Sequence, residues 1–173
     1  MITGGSLRQY LKRMVKPKLK VIKNWCIEIL KGLDYLHTYK IDGKVTPIIH
    51  RDIKCDNIFI NSNSGEIKIG DLGLSTTMKN SYTSSVLGTP EFMAPELYEE
   101  YYGTEVDIYA FGMALLEMLT REAPYRECQN PAQIYRKVVN RDFPLSLSRI
   151  LDEQVKEFIM SCLDDRMKRP SAR

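Results

Sequence analysis

Ile48-Ile49-His50-Arg51-Asp52-Ile53-Lys54-Cys55-Asp56-Asn57-Ile58-Phe59-Ile60, a polar stretch Asn61-Ser62-Asn63-Ser64-Gly65, and then Ile67-Lys68-Ile69-Gly70-Asp71-Leu72-Gly73 carry the reading of this chain. Ile58-Phe59-Ile60 and Ile67-Lys68-Ile69 are short β-prone runs, and the residues between them are of the types that close hairpins. Asn57 stands just before the first run and Asp71 just after the second. Antiparallel pairing therefore predicts an amide oxygen and a carboxylate together at the open end of the hairpin. Hard oxygen ligands of this kind suit Mg²⁺, which takes few protein ligands and completes its shell with water and phosphates. Asp52 and Lys54, in the loop feeding the first strand, add a carboxylate able to orient a hydroxyl and a cation beside it.

This constellation resembles the catalytic loop of eukaryotic protein kinases, H-R-D-x-K-x-x-N, followed by the metal-binding D-x-G. Gly88-Thr89-Pro90-Glu91-Phe92 and Ala94-Pro95-Glu96 are similar to the segment that closes a kinase activation loop. Four signatures in kinase order make the match specific. Lys54 two residues after Asp52, with Thr89 in the later turn, resembles the serine/threonine class. The longer runs, with Leu72 in place of the commoner phenylalanine, resemble the WNK ("with no lysine") kinases over essentially the whole chain.

The resemblance implies a mainly α fold with a small β-hairpin, the C-terminal lobe of a kinase. The expected division is one partial kinase domain over residues 1–173, comprising the hinge and C-lobe and ending before the last helix. No Gly-rich loop or phosphate-anchoring lysine of an N-terminal lobe is found in the sequence. The implied cofactors are ATP and Mg²⁺. Asp52, Lys54 and Thr89 would be catalytic, Lys54, Asn57 and Asp71 would hold the nucleotide, and Asn57 and Asp71 the metal. His50, Arg51, Glu96, Asp107 and Arg169 would support them, with Arg169 pairing Glu96 and Asp107 holding backbone amides of the catalytic loop. Regulatory phosphorylation would fall on Ser85 and Ser81, chloride would bind at Leu72, Gly73 and Leu74, and the substrates would be Ste20-type kinases. The alternative is a catalytically silent lobe that serves as a binding or scaffold module.

The 173 residues, 43% hydrophobic and 27% charged, suit one soluble globular domain with a real core. No apolar run is long enough to cross a bilayer, and the N-terminus is not a signal peptide. Cys26, Cys55, Cys128 and Cys162 lack C-x-x-C pairing, which favours a reduced, cytoplasmic setting over a disulfide framework or zinc site. The basic residues Arg8, Lys12, Arg13, Lys16, Lys18, Lys20 and Lys23 read as a solvated helix face and loop rather than a nucleic-acid patch, since no aromatics are interleaved among them.

Outward from the centre, Gly4-Gly5-Ser6 offers a flexible lead-in and N-cap for Leu7, Tyr10 and Leu11. After a break at Pro17, Val21 through Leu36 recur at helical spacing and predict a long amphipathic helix with Trp25 on its core face. Ile41 to Pro47 reads as a loop. The hydroxyl-rich run from Leu74 to Thr89 has few apolar anchors. Phosphate charge held by basic groups such as Arg51 would order it. Thr104 to Thr120 is apolar nearly all round, so its helix is buried on every side, with Asp107 expected both to form a capping box with Thr104 and to serve the catalytic loop. Ile134, Tyr135, Val138 and Val139 predict one short helix, and Val155, Phe158, Ile159 and Cys162-Leu163 another.

Overall fold

Ser6 opens the first helix of the computed structural model, which describes residues 4–13, 16–77, 88–99 and 101–173. Its Oγ accepts from Gln9 N while its own N–H donates to Gln9 Oε1, both at 3.3 Å, so two donors that the helix end would orphan are satisfied reciprocally. Helix α1 (Leu7–Arg13) buries Leu7 and Leu11. Helix α2 (Leu19–His37) buries Ile22, Trp25, Cys26, Ile29 and Leu33, a stripe at steps of three and four, while Val21 at its edge faces solvent. Trp25 lies in the core, and its Nε1 donates to Gly65 O at 3.2 Å, tying the helix to the turn of the central hairpin.

The stretch read as a loop after α2 is a hairpin. Strands β1 (Lys40–Ile41) and β2 (Lys44–Val45) pair antiparallel across Asp42-Gly43, whose φ values of 51° and 75° are the two left-handed positions that a tight two-residue turn needs. Strand β3 (Ile48–Ile49) leads into the His50-to-Asn57 stretch. The central hairpin then forms from β4 (Ile58–Ile60) and β5 (Ile67–Ile69), with Ile58 opposite Ile69 and Ile60 opposite Ile67. Ile58 and Ile60 face the core, and Glu28 of α2 accepts the Ile67 N–H at 2.7 Å. Strand β6 (Thr76–Thr77) pairs with β3, so part of the polar run after Gly73 is pinned to the entry of the His50-to-Asn57 stretch.

The chain's first described residues lie along the free edge of β4. Gly4 N donates to Ile60 O at 2.9 Å and Ile60 N to Gly5 O at 3.1 Å. A Cβ on Gly4 would stand 2.6 Å from Ile60 O, so only glycine permits this approach.

Helix α3 (Glu105–Thr120) runs through the middle of the molecule, with Val106 to Met118 buried without a break. Its start departs from the expected capping box. Thr104 is itself in the helical region and its side chain caps nothing, while Glu105 accepts the Gly103 N–H at 2.9 Å. Helix α4 (Pro131–Val139) begins at Asn130, whose side chain accepts from Gln133 N, with Pro131 at the first helical position. Helix α5 (Glu153–Leu163) begins at Asp152, capping Val155 N. It packs closely on α3 where Gly112 would place a Cβ 2.7 Å from Cys162 Cβ. Short 3₁₀ turns at Pro90–Phe92 and Pro95–Tyr98 carry the chain from the site to α3. No described helix is long and apolar enough to cross a membrane, and the four cysteines are free thiols.

Candidate active site

The hairpin brings the two ends of the opening stretch together. Beyond the Ile58–Ile69 pair, Gly70 N donates to Asn57 O at 2.8 Å, which extends the ladder by one step and leaves Asp71 at its mouth. Asn57 is buried and turned toward Asp52: Nδ2 donates to Asp52 Oδ2 at 2.7 Å and to Asp52 O at 2.8 Å. Its donors being spent there, the amide offers Oδ1 as its remaining polar group.

Asp52 is the centre of the cluster. Lys54 Nζ donates to Asp52 Oδ2 at 2.7 Å and to Thr89 Oγ1 at 2.6 Å, and Thr89 Oγ1 donates to Asp52 Oδ1 at 2.8 Å. A closed ring results, carboxylate to ammonium to hydroxyl and back. Burial alone would push the Asp52 carboxyl up. The bonds from Lys54, Thr89 and Asn57 outweigh it and hold the group below the usual carboxylate range. Asp52 is thus an ionised acceptor in a largely enclosed place.

Asp71 has a left-handed backbone, φ 60°, and sits exposed with Oδ1 accepting from Gly73 N at 3.2 Å. Arg51, on the other side of the site, is left-handed too, at φ 67°. Such conformations cost non-glycine residues energy and persist where the surroundings impose them, often at functional sites. For Arg51 those surroundings are visible: Nε donates to Leu74 O at 2.6 Å and Nη1 to Tyr102 Oη at 3.1 Å. The guanidinium that sequence reasoning offers to a phosphate here joins the turn at Arg51 to the segment after Gly73.

Supporting groups surround this core. Asp107, wholly buried, accepts from His50 N at 2.9 Å and Arg51 N at 2.8 Å, and His37 Nε2 lies 2.8 Å from the same carboxylate. His50 Nδ1 accepts from Asp52 N at 3.3 Å, which leaves Nε2 to donate to Gly70 O at 3.0 Å. Arg169 grips Glu96 through both guanidinium arms, the second at 3.0 Å, with its face 5.0 Å from the Tyr109 ring centroid. Leu72 and Gly73 are exposed and Leu74 half-buried on a 3₁₀ turn, with the Gly73 N–H already committed to Asp71. Ser81 and Ser85 lie outside the described residues.

Sequence reasoning missed His37 and Arg8. No motif marks a histidine at the end of a helix. Arg8 belongs to a basic cluster read as solvated, yet it bridges Asp56 at 2.9 Å and Glu117 at 2.7 Å and ties α1 to the stretch before β4 and to α3. Periodicity could not reveal it, because its partners lie far off in sequence.

The chemistry of the donor set fits Mg²⁺ with a nucleotide. One amide oxygen and one exposed carboxylate stand at the hairpin mouth, too few for an all-protein cage and suited to an ion that keeps water and phosphate ligands. An ionised carboxylate stands beside them with an ammonium neighbour. These are the parts of a phosphoryl-transfer site of the kinase class.

The family model described as protein kinase domain matches residues 1–173. The chain is 56% identical to the serine/threonine-protein kinase WNK3 of Mus musculus over 94% of its own length and 9% of that protein's. It is 56% identical to WNK8 of Arabidopsis thaliana over 99% of its own length and 30% of the relative's. With the WNK2 kinase of Homo sapiens the figures are 55%, 94% and 7%. The chain belongs to the protein kinase family, within its WNK group. It spans less than a third of the length of each of these relatives.

Proposed function

We propose that this chain is the larger, C-terminal lobe of an ATP-dependent kinase that phosphorylates serine and threonine residues of proteins. The observation that carries the reading is Asp52, an enclosed carboxylate kept ionised by Lys54, Thr89 and Asn57. Mg²⁺–ATP, held on Asn57 and Asp71, would supply the phosphoryl group and the counter-charge. Asp52 takes up a hydrogen bond from the substrate hydroxyl, aims its oxygen at the terminal phosphorus, and receives its proton as the new P–O bond forms and ADP leaves. Lys54 keeps Asp52 ionised and, through Thr89, fixes the segment on which the substrate lies.

Glycine-rich loop and anchoring lysine are not among these residues. By resemblance, a smaller lobe would complete the nucleotide site, with the opening Met1 to Leu7 similar to its hinge, and this chain alone would transfer phosphate poorly, because such catalysis is mostly positioning and electrostatics. By resemblance, the substrates are Ste20-type kinases of ion-transport signalling, and Ser85 and Ser81 are the activating phosphorylation sites. Chloride would bind against Leu72 and Leu74. It would need the Gly73 N–H that Asp71 now holds, so chloride and the present Asp71 orientation exclude each other.

The test is phosphate transfer by the full-length product to a Ste20-type kinase peptide, with and without Mg²⁺. Asp71→Ala should abolish the Mg²⁺-dependent rate. An unchanged rate in that variant refutes the assignment.

A further inference from the structure

We propose that Arg8 is a specificity-determining residue: its guanidinium fills a notch between two carboxylates beside the site and turns away substrates with a basic side chain close to the acceptor hydroxyl. The inference rests on the kinase reading above. Nη1 of Arg8 lies 2.9 Å from Asp56 Oδ2, and Nε donates to Glu117 Oε1 at 2.7 Å. The notch runs from open to closed, with the Asp56 side chain 40% exposed, that of Arg8 27% and that of Glu117 6%. The Arg8 N–H donates to Cys55 O at 3.0 Å, and the guanidinium carbon stands 6.0 Å from the Phe92 ring centroid. Cys55 and Asp56 directly precede Asn57, and Phe92 lies on the turn that follows Thr89. The notch therefore adjoins the segment on which the substrate is proposed to lie.

Arg8 does not exhaust the notch. Glu117 Oε2 is buried with no hydrogen-bond partner among the described residues, and Glu117 lines a cavity of about 150 Å³ with Arg8, Leu11, Lys12 and Arg121. Arg121 donates to Leu11 O at 2.8 Å. A buried carboxylate oxygen without a donor bears its desolvation cost in full, so Glu117 has capacity for a further cationic donor. Two carboxylates at the edge of a cleft draw cations, and an enclosed one holds them by charge-assisted bonds. Arg8 stands between the exposed carboxylate and the buried one. It cancels part of their charge and sets a like charge before any incoming base, which selects against the wrong peptide without adding a contact to the right one.

The test is a peptide series for the full-length protein in which one arginine is moved along the residues flanking the acceptor serine, each peptide paired with alanine and citrulline counterparts. Wild type should treat all of them within about twofold. Arg8→Ala should raise kcat/KM about tenfold for arginine at one position and leave citrulline there unchanged, as one charge-assisted bond to an enclosed carboxylate requires. Adding Glu117→Gln to Arg8→Ala should remove the gain. Arg8→Lys keeps a cation beside Glu117 and serves where the alanine variant fails to fold. Its single ammonium cannot span both carboxylates, so its gain should be about threefold. Arg8 variants with the wild-type profile overturn the proposal, and so does a wild type that already favours arginine about tenfold. Ethylguanidinium gives a readout free of turnover. It should raise the Tm of the Arg8 variant by about 2 °C and leave that of wild type unchanged. If wild type and Asp52→Asn transfer phosphate equally, the kinase reading fails, and this shift still decides whether Arg8 fills a guanidinium site; no shift, or an equal one in wild type, overturns that.

Discussion

Removing Glu96 tests how the segment after Thr89 is fastened to the rest of the molecule. Glu96 and Arg169 have side chains only 6% and 1% exposed and form a two-armed pair. Taking away one partner of such a pair leaves an uncompensated buried charge and costs about 3–5 kcal/mol. Here Arg169 would keep bonds to Asp164 O at 2.9 Å and Glu105 O at 3.2 Å and its place over Tyr109. Glu96→Leu should therefore fall at the low end, about 3 kcal/mol, roughly a hundredfold in the folding constant. Urea unfolding followed by the fluorescence of Trp25, the single tryptophan and a core residue, is the assay. The double variant Glu96→Leu/Arg169→Met should be less destabilised than Glu96→Leu alone, because it removes the stranded charge as well. Arg126→Ala supplies the contrast. Its partner bond to Glu122 is on a side chain 72% exposed, and its loss should cost about 0.5 kcal/mol or less. A Glu96→Leu cost as small as that, or a double variant worse than the single, would refute the argument.

Two further outcomes follow from the protonation of buried groups. Asp52 titrates lower in the folded chain than the unfolded value of about 3.9, so its charge favours folding. That contribution is complete above the unfolded value and disappears as pH falls through the folded one, so Asp52→Asn should make acid unfolding less steep below about pH 4. A slope identical in both proteins would contradict this. Among the thiols, burial pushes Cys26 up to about 12 and Cys162 to about 11, and Cys55 is raised well up by burial and Glu117. Cys128 is only partly buried. Iodoacetamide at pH 8 should label Cys128 first and the others only on unfolding; early labelling of Cys26 would show that the α2 core face opens.

The parts of the fold written in local periodicity were legible. The stripe on α2, the all-round apolar α3 and the β4–β5 hairpin each declare themselves within a dozen or so residues. The β3–β6 pair does not, because the whole β4–β5 hairpin lies between Ile48 and Thr77 in the chain and a two-residue strand has no alternation to read. Asp42-Gly43 did carry the signal of a tight hairpin, but the strands flanking it are too short and exposed to support it. At the site, Asp52, Lys54, Asn57 and Thr89 converge because a hairpin and one returning segment bring them together. His37 and Arg8 were illegible for a different reason: their partners lie about 50 to 110 residues away, and their roles exist only in the packed arrangement. The Thr104 cap failed because Thr104 is itself helical, and the Asp107 carboxylate is spent on the His50 and Arg51 amides.

The account stands most directly on Asp52 as the group that receives the substrate's proton. Asn in its place keeps the shape but holds no charge and accepts no proton. Phosphate transfer by full-length Asp52→Asn to a serine-bearing protein substrate should be about 10²–10⁴-fold slower than wild type with the fold intact. A rate within about twofold of wild type would contradict the account, whatever the family to which the chain belongs.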